Sequence, residues 1–252
     1  MTNQKTTDHQ LFEVGGCVRD DLLGVFTKDI DFTFVLNDTT QTVDQGWDHM
    51  VDFLRINNFK IFLETKDCFT IRAMFPKGHT HEGLVADFVM ARKEVGYVPG
   101  TRKPILELGT LWDDLIRRDF TVNAMARDLD GNLIDPFGGQ VHLEGGYLVT
   151  PLEPRKTFID DPLRVLRALR FHITKDFTIS DKVWDAMFDP EVIDKLRTVV
   201  SQDRIQHELH RMFQHDTVAT LRLLAKIDKI DPQLFHIMFD GSLWLMPTTK
   251  QK

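Results

Sequence analysis

Around Gly15 the chain sets a glycine pair, an arginine and then two aspartates one residue apart: VGGCVRDDLLGVFTKDIDFTFV. In an extended strand, side chains two apart face the same way. A strand from Ile30 therefore puts Asp29, Asp31 and Thr33 on one face, with Ile30, Phe32 and Phe34 buried behind. Two carboxylates about 6–7 Å apart along one face can bridge a pair of hard cations, and oxygen ligands suit Mg2+. Such a pair serves phosphoryl transfer, one ion activating the attacking hydroxyl and the other holding the triphosphate and the leaving oxygen. Taken alone, Asp-x-Asp also describes solvated acids at a strand edge. The residues before it narrow the choice. Gly15 and Gly16 let the backbone approach a phosphate, and a helix from Cys17 turns its first amides toward an anion. Arg19 can reach that anion, with Asp20 or Asp21 to orient it.

Two further segments carry groups of the same kind. Asp87 is the one acid in the apolar run LVADFVMA, where a carboxylate needs a partner, either a cation or a salt bridge. In DDLIRRDFTVNAMA, Arg117 and Arg118 are donors for phosphate or sugar oxygens, and Asp119 can accept from a ribose hydroxyl. Asn123, four residues on, would share a helical face with Asp119.

The elements that must position these groups change character along the chain. In the first half, β-rich runs at residues 30–36, 59–63, 69–75 and 84–91 alternate with turns and a helical pattern at 47–56. From Phe158 apolar residues recur at helical spacing, first Leu163, Leu166, Leu169 and Ile173, then over 183–188, 193–200 and 205–213. The join falls in the Gly- and Pro-containing stretch 131–154. The chain thus reads as α+β, with a catalytic head over residues 1–148 and helices over 149–252. The closing GSLWLMPTTKQK reads as a segment that packs one aromatic side chain and frays.

With 252 residues, 42% hydrophobic and 27% charged, the composition is that of an ordinary globular protein. No apolar run is long enough to span a bilayer, and the first ten residues lack the apolar core of a signal peptide, so a cytoplasmic protein with no membrane partner is expected. Two cysteines are too few for a disulfide framework. A net charge of −7 excludes a protein that coats nucleic acid over its whole surface but leaves room for a local basic stripe.

VGGCVRDDLLG followed by KDIDFT resembles the signature of the DNA polymerase β-like nucleotidyltransferases of the bacterial tRNA CCA-adding and poly(A) polymerase family. Four more segments resemble that family's motifs in order: LVADFVMARKEVGYVPG, DDLIRRDFTVNAMA, FIDDPLRVLRALRF and VVSQDRIQHELHRMF. Two positions depart from the family pattern, Asp160 and Asp203, where Glu is usual. The resemblance implies a polymerase β-like head, a mixed sheet with flanking helices, followed by an all-α neck and a shortened body. It implies template-independent addition of CCA to the 3′ end of tRNA from CTP and ATP with Mg2+. Asp29, Asp31 and Asp87 would hold the metals, and Gly15, Gly16 and Arg19 the triphosphate. Arg118, Asp119 and Asn123 would hold the sugar. Asp161 and Arg164 would read the base, the acid accepting from the amine that cytosine and adenine share. Arg167, toward the nucleotide, and Arg170, toward RNA, continue the basic stripe; a solvated helix face accounts for them equally. Arg204 and Glu208 would pair one helical turn apart, as structural residues. A poly(A) polymerase or a CC- or A-only-adding relative is the nearest rival, and a noncatalytic RNA-binding protein a rival of another class.

Overall fold

The computed structural model describes residues 8–97 and 104–239, so the closing segment 240–252 lies outside the described residues. The chain packs as two units, residues 1–140 and 141–252.

In the first unit, β1 (His9–Val14) leads through α1 (Gly16–Leu22) to β2 (Ile30–Leu36), followed by α2 (Val43–Ile56), β3 (Lys60–Thr65), β4 (Thr70–Met74) and β5 (Val85–Met90). A separate hairpin, β6 (Arg92–Tyr97) and β7 (Pro104–Leu108), precedes α3 (Leu111–Ile116), a 3-10 turn at Thr121–Asn123, β8 (Ala126–Arg127) and β9 (Leu133–Ile134); α4 (Gly139–Glu144) begins in this unit and runs into the second. The sheet runs β3-β4-β5-β2-β1-β8-β9. Only β2 and β5 pair parallel in it; the other neighbours are antiparallel.

β2 is central because both its faces find apolar cover. Phe32, Phe34 and Leu36 pack with Phe88 of β5 and with Trp47, Met50 and Leu54 of α2, and the Phe32 and Phe88 rings stack with centroids 5.1 Å apart. On the opposite face Val35 joins Phe12, Val14, Leu115, Ala124 and Ala126. Helix α2 starts earlier than its apolar spacing predicts, because Thr42 and Gln45 form a reciprocal capping box. Gly46 brings α2 against the sheet, since a Cβ there would sit 2.8–2.9 Å from Leu108, Leu36 and Met90.

In the second unit β10 (Tyr147–Leu148) pairs with β11 (Thr178–Ile179) around α5 (Pro154–Asp160) and α6 (Leu163–Lys175). The chain continues through α7 (Asp181–Ala186), α8 (Pro190–Val199), α9 (Gln202–His215), α10 (Thr217–Ile230) and α11 (Pro232–Met238). Three of these helices open with proline at the first position behind an acidic cap: Glu153 for α5, Asp189 for α8 and Asp231 for α11. Among the described residues no helix is long and apolar enough to cross a membrane.

Candidate active site

The parallel pairing of β2 and β5 sets Asp31 directly opposite Asp87. Asp29 sits just before β2 on the exposed chain, its amide donating to Thr27 Oγ1 at 3.1 Å. With Lys28 and Arg72, the three acids line a cleft of about 510 Å3. Burial pushes the Asp31 carboxyl up, and the neighbouring Asp87 and Asp29 push the same way, against Arg118 and Arg72. A cation placed among these oxygens would relieve that repulsion. Three carboxylates form a hard, oxygen-only donor set, which suits a divalent ion.

Asp87 already has a partner. Arg72 on β4, its direct cross-strand neighbour, donates through Nε at 2.8 Å and through its terminal nitrogen at 2.6 Å to the two carboxylate oxygens. The salt bridge that the sequence left open for Asp87 is thus present. As placed, no three His, Cys, Asp or Glu side chains among the described residues form a group that could hold a metal ion.

Beside this cleft, Gly15 adopts φ +79°, open to glycine but strained for other residues. A Cβ at Gly15 would lie 2.5 Å from an Arg118 guanidinium nitrogen, so the missing side chain makes room for that arginine. The arginine is held in turn by Asp114, 3% exposed, which accepts from Arg118 at 2.8 Å and 3.2 Å, from Arg117 at 3.3 Å and from the Thr33 hydroxyl at 2.8 Å. Burial acts to raise the Asp114 carboxyl, but Arg118 and Arg117 outweigh it and hold the group below the usual carboxylate range. Asp114 is not conspicuous in the sequence. Its spacing of three and four from Arg117 and Arg118 was the available signal.

Arg19, Asp119 and Asn123 form a buried chain. Arg19 donates to Asn123 Oδ1 and to Asp20 at 2.9 Å, and Asn123 donates to Asp119 at 2.8 Å. Asp119 also accepts from the Phe120 amide at 2.8 Å. The Asp119–Asn123 contact agrees with the sequence expectation, but it does not come through a shared helix. Helix α3 ends at Ile116, and a 3-10 turn brings Asn123 back onto Asp119. Helix α1 starts at Gly16 with no side-chain cap on its first amides. Arg19, 6% exposed, braces Asn123 where the sequence reading put it on the triphosphate.

In the second unit Asp161 lies between α5 and α6, its side chain accepting from the Leu163 amide at 3.3 Å. Arg164, in the first turn of α6, donates to the Thr157 carbonyl at 3.3 Å. Arg204 comes within 4.0 Å of Asp161. The expected Arg204–Glu208 pair is replaced by another, because buried Glu208 binds Arg170 across from α9 to α6. Arg170, 9% exposed, is therefore a buried structural residue and not an RNA contact; its guanidinium also lies over the Phe171 ring, 4.3 Å from the centroid. Arg167 remains half-buried on the same helix.

Residues 11–149, more than half of the chain, match the poly A polymerase head domain. The chain belongs to the poly A polymerase head domain family. Similar proteins include the multifunctional CCA protein of Hahella chejuensis, 35% identical over 96% of this chain and 52% of that protein. The tRNA nucleotidyltransferase of Schizosaccharomyces pombe is 33% identical over 79% of this chain and 42% of its own length. Among solved structures, the Bacillus stearothermophilus CCA-adding enzyme in complex with CTP superposes with a TM-score of 0.67 at 26% identity, covering 86% of this chain and 48% of that one. The Thermotoga maritima CCA-adding enzyme complexed with tRNA gives 0.67 at 26%, over 94% and 50%. This member of the poly A polymerase head family thus shares the fold of those enzymes, a mixed-sheet head followed by helices. It spans about half the length of the relatives it matches.

Proposed function

We propose that this chain is a template-independent nucleotidyltransferase that adds C, C and A to the 3′ end of tRNA from CTP and ATP with Mg2+. The observation that carries the reading is the register that sets Asp31 beside Asp87, with Asp29 on the same cleft. The donor set fits divalent ions, which when bound neutralise the triphosphate and lower the barrier to attack by the tRNA hydroxyl. The residues that would hold them are Asp29, Asp31 and, once it leaves Arg72, Asp87. In the reaction the terminal hydroxyl oxygen of the tRNA gives up its proton to water and bonds to the α-phosphorus, the bond from that phosphorus to the β-phosphate oxygen breaks, and pyrophosphate leaves.

Arg118, held by Asp114 and admitted by Gly15, offers guanidinium nitrogens to phosphate or sugar oxygens. Asp119 and Asn123 shape the sugar pocket, with Arg19 fixing the Asn123 amide. Asp161 and Arg164 would take the place of a template by matching the amine and ring nitrogen shared by cytosine and adenine. Similarity to proteins named CCA-adding enzymes and CCA proteins supports CCA over a poly(A) tail.

The test is to incubate the protein with tRNA lacking its last three nucleotides, offer CTP and ATP singly and together, and sequence the ends. Ends completed to CCA support the reading; A-only tails indicate a poly(A) polymerase, and tight binding without extension a noncatalytic protein. Asp29→Ala should cut extension at least about 10³-fold, the scale of losing ion-based stabilisation worth several kcal/mol, without lowering the unfolding midpoint. Retained extension removes Asp29 from the site.

A further inference from the structure

The least expected group at the cleft is Arg72. It lies on the strand next to Asp87, on the face opposite the buried Ile71 and Ala73. Its guanidinium forks both oxygens of Asp87, taking up a lone pair on each. A divalent ion bound at Asp87 would sit beside that guanidinium, so two cations repel each other and compete for one carboxylate. The pair is accessible to water, with side-chain exposures of 54% for Arg72 and 25% for Asp87, and such pairs hold weakly. They separate easily when a stronger partner arrives. Arg72 also acts on Asp31, where its charge opposes the repulsion from Asp87 and Asp29. It is thus a counter-ion for the acid cluster, on a flexible stem at the wall of the cleft. Once displaced, its planar fork matches the oxygens of a phosphate as well as those of a carboxylate.

We propose that Arg72 is a positioning residue acting through Asp87, occupying that carboxylate before ions bind and passing to the triphosphate of the incoming nucleotide when divalent ions take its place. The proposal rests on the nucleotidyltransferase reading above. Its consequence is coupling: ions are held firmly only when nucleotide is present to receive the guanidinium.

The experiment is a Mn2+ titration of the full chain followed by electron paramagnetic resonance, with and without a nonhydrolysable CTP analogue, on wild type, Arg72→Gln, Arg72→Lys and Asp31→Asn. Without nucleotide, Arg72→Gln should bind Mn2+ about fivefold tighter than wild type, the scale of releasing an exposed pair. It should also lose most of the tightening that the analogue produces in wild type, and raise the KM for CTP more than it lowers kcat. Arg72→Lys should fall between, since an ammonium neutralises Asp87 but cannot fork it. Equal or weaker Mn2+ binding by Arg72→Gln, with Asp31→Asn abolishing binding, overturns the proposal: Arg72 then only orders Asp87, and the metal reading stands. Failure of wild type to bind Mn2+ in either condition removes the metal site itself and this proposal with it.

Discussion

Gly15 is one backbone position on which both the fold and the proposed chemistry draw. Its φ of +79° and ψ of −129° lie where a side chain is costly, and the space a side chain would fill is held by Arg118. Gly15→Ala should therefore destabilise the protein by about 1–3 kcal/mol and raise the KM for nucleotide by pushing Arg118 from Asp114. Denaturant unfolding and steady-state kinetics read the two effects separately. A loss of stability below about 0.5 kcal/mol, with KM unchanged, would mean that Gly15 positions nothing. At this scale the sequence was informative about residue types and less so about partners. The Asp-x-Asp pattern points to a strand from Ile30, and Asp31 is the second residue of β2 with Asp29 just before it. Arg72 is not legible in the sequence because its meaning lies in what it touches across strands, and cross-strand register is not written in either strand alone.

Helices α6 and α9 are joined by the buried pair of Arg170 and Glu208. Burial lowers the tendency of Arg170 to hold its proton, and Glu208 opposes that shift. Removing one partner strands a buried charge, so Arg170→Met should cost about 3–5 kcal/mol. The double variant Arg170→Met with Glu208→Leu should recover most of the loss, since apolar replacement of a whole buried pair is often neutral. Denaturant unfolding of both singles and the double closes this cycle. Additive losses would show that the two side chains act independently. The helical spacing explains why Arg170 reads as exposed in the sequence. Arg164, Arg167 and Arg170 repeat every third residue, which looks like one exposed stripe, but a helix turns 3.6 residues per revolution and the row drifts into the face that meets α9. Element type was more legible than element edges. The runs expected at 59–63, 69–75 and 84–91 became β3, β4 and β5 with ends shifted by a residue or two. Helix α4 was missed because the Gly- and Pro-containing stretch 131–154 reads as connection throughout.

The chain divides at Gln140 into two units, and the first contains its own apolar clusters together with every acid of the cleft. A fragment of residues 8–140 should therefore fold alone and bind Mn2+ with nucleotide, while losing discrimination among bases, because Asp161 and Arg164 belong to the second unit. Circular dichroism melting and the same Mn2+ titration decide it; a fragment without a cooperative melt would show that the head depends on the helical unit for its stability. One feature of the sheet governs when such a head can work. Asp31 and Asp87 belong to parallel neighbours, and parallel strands are joined by a long excursion, which here contains α2, β3 and β4. Contacts so far apart in sequence form slowly, because chain entropy is lost before the pairing is gained. A growing polypeptide that has left the ribosome only as far as β4 carries the first two acids without the third, so the acid cleft is completed only with the strand that fills the centre of the sheet.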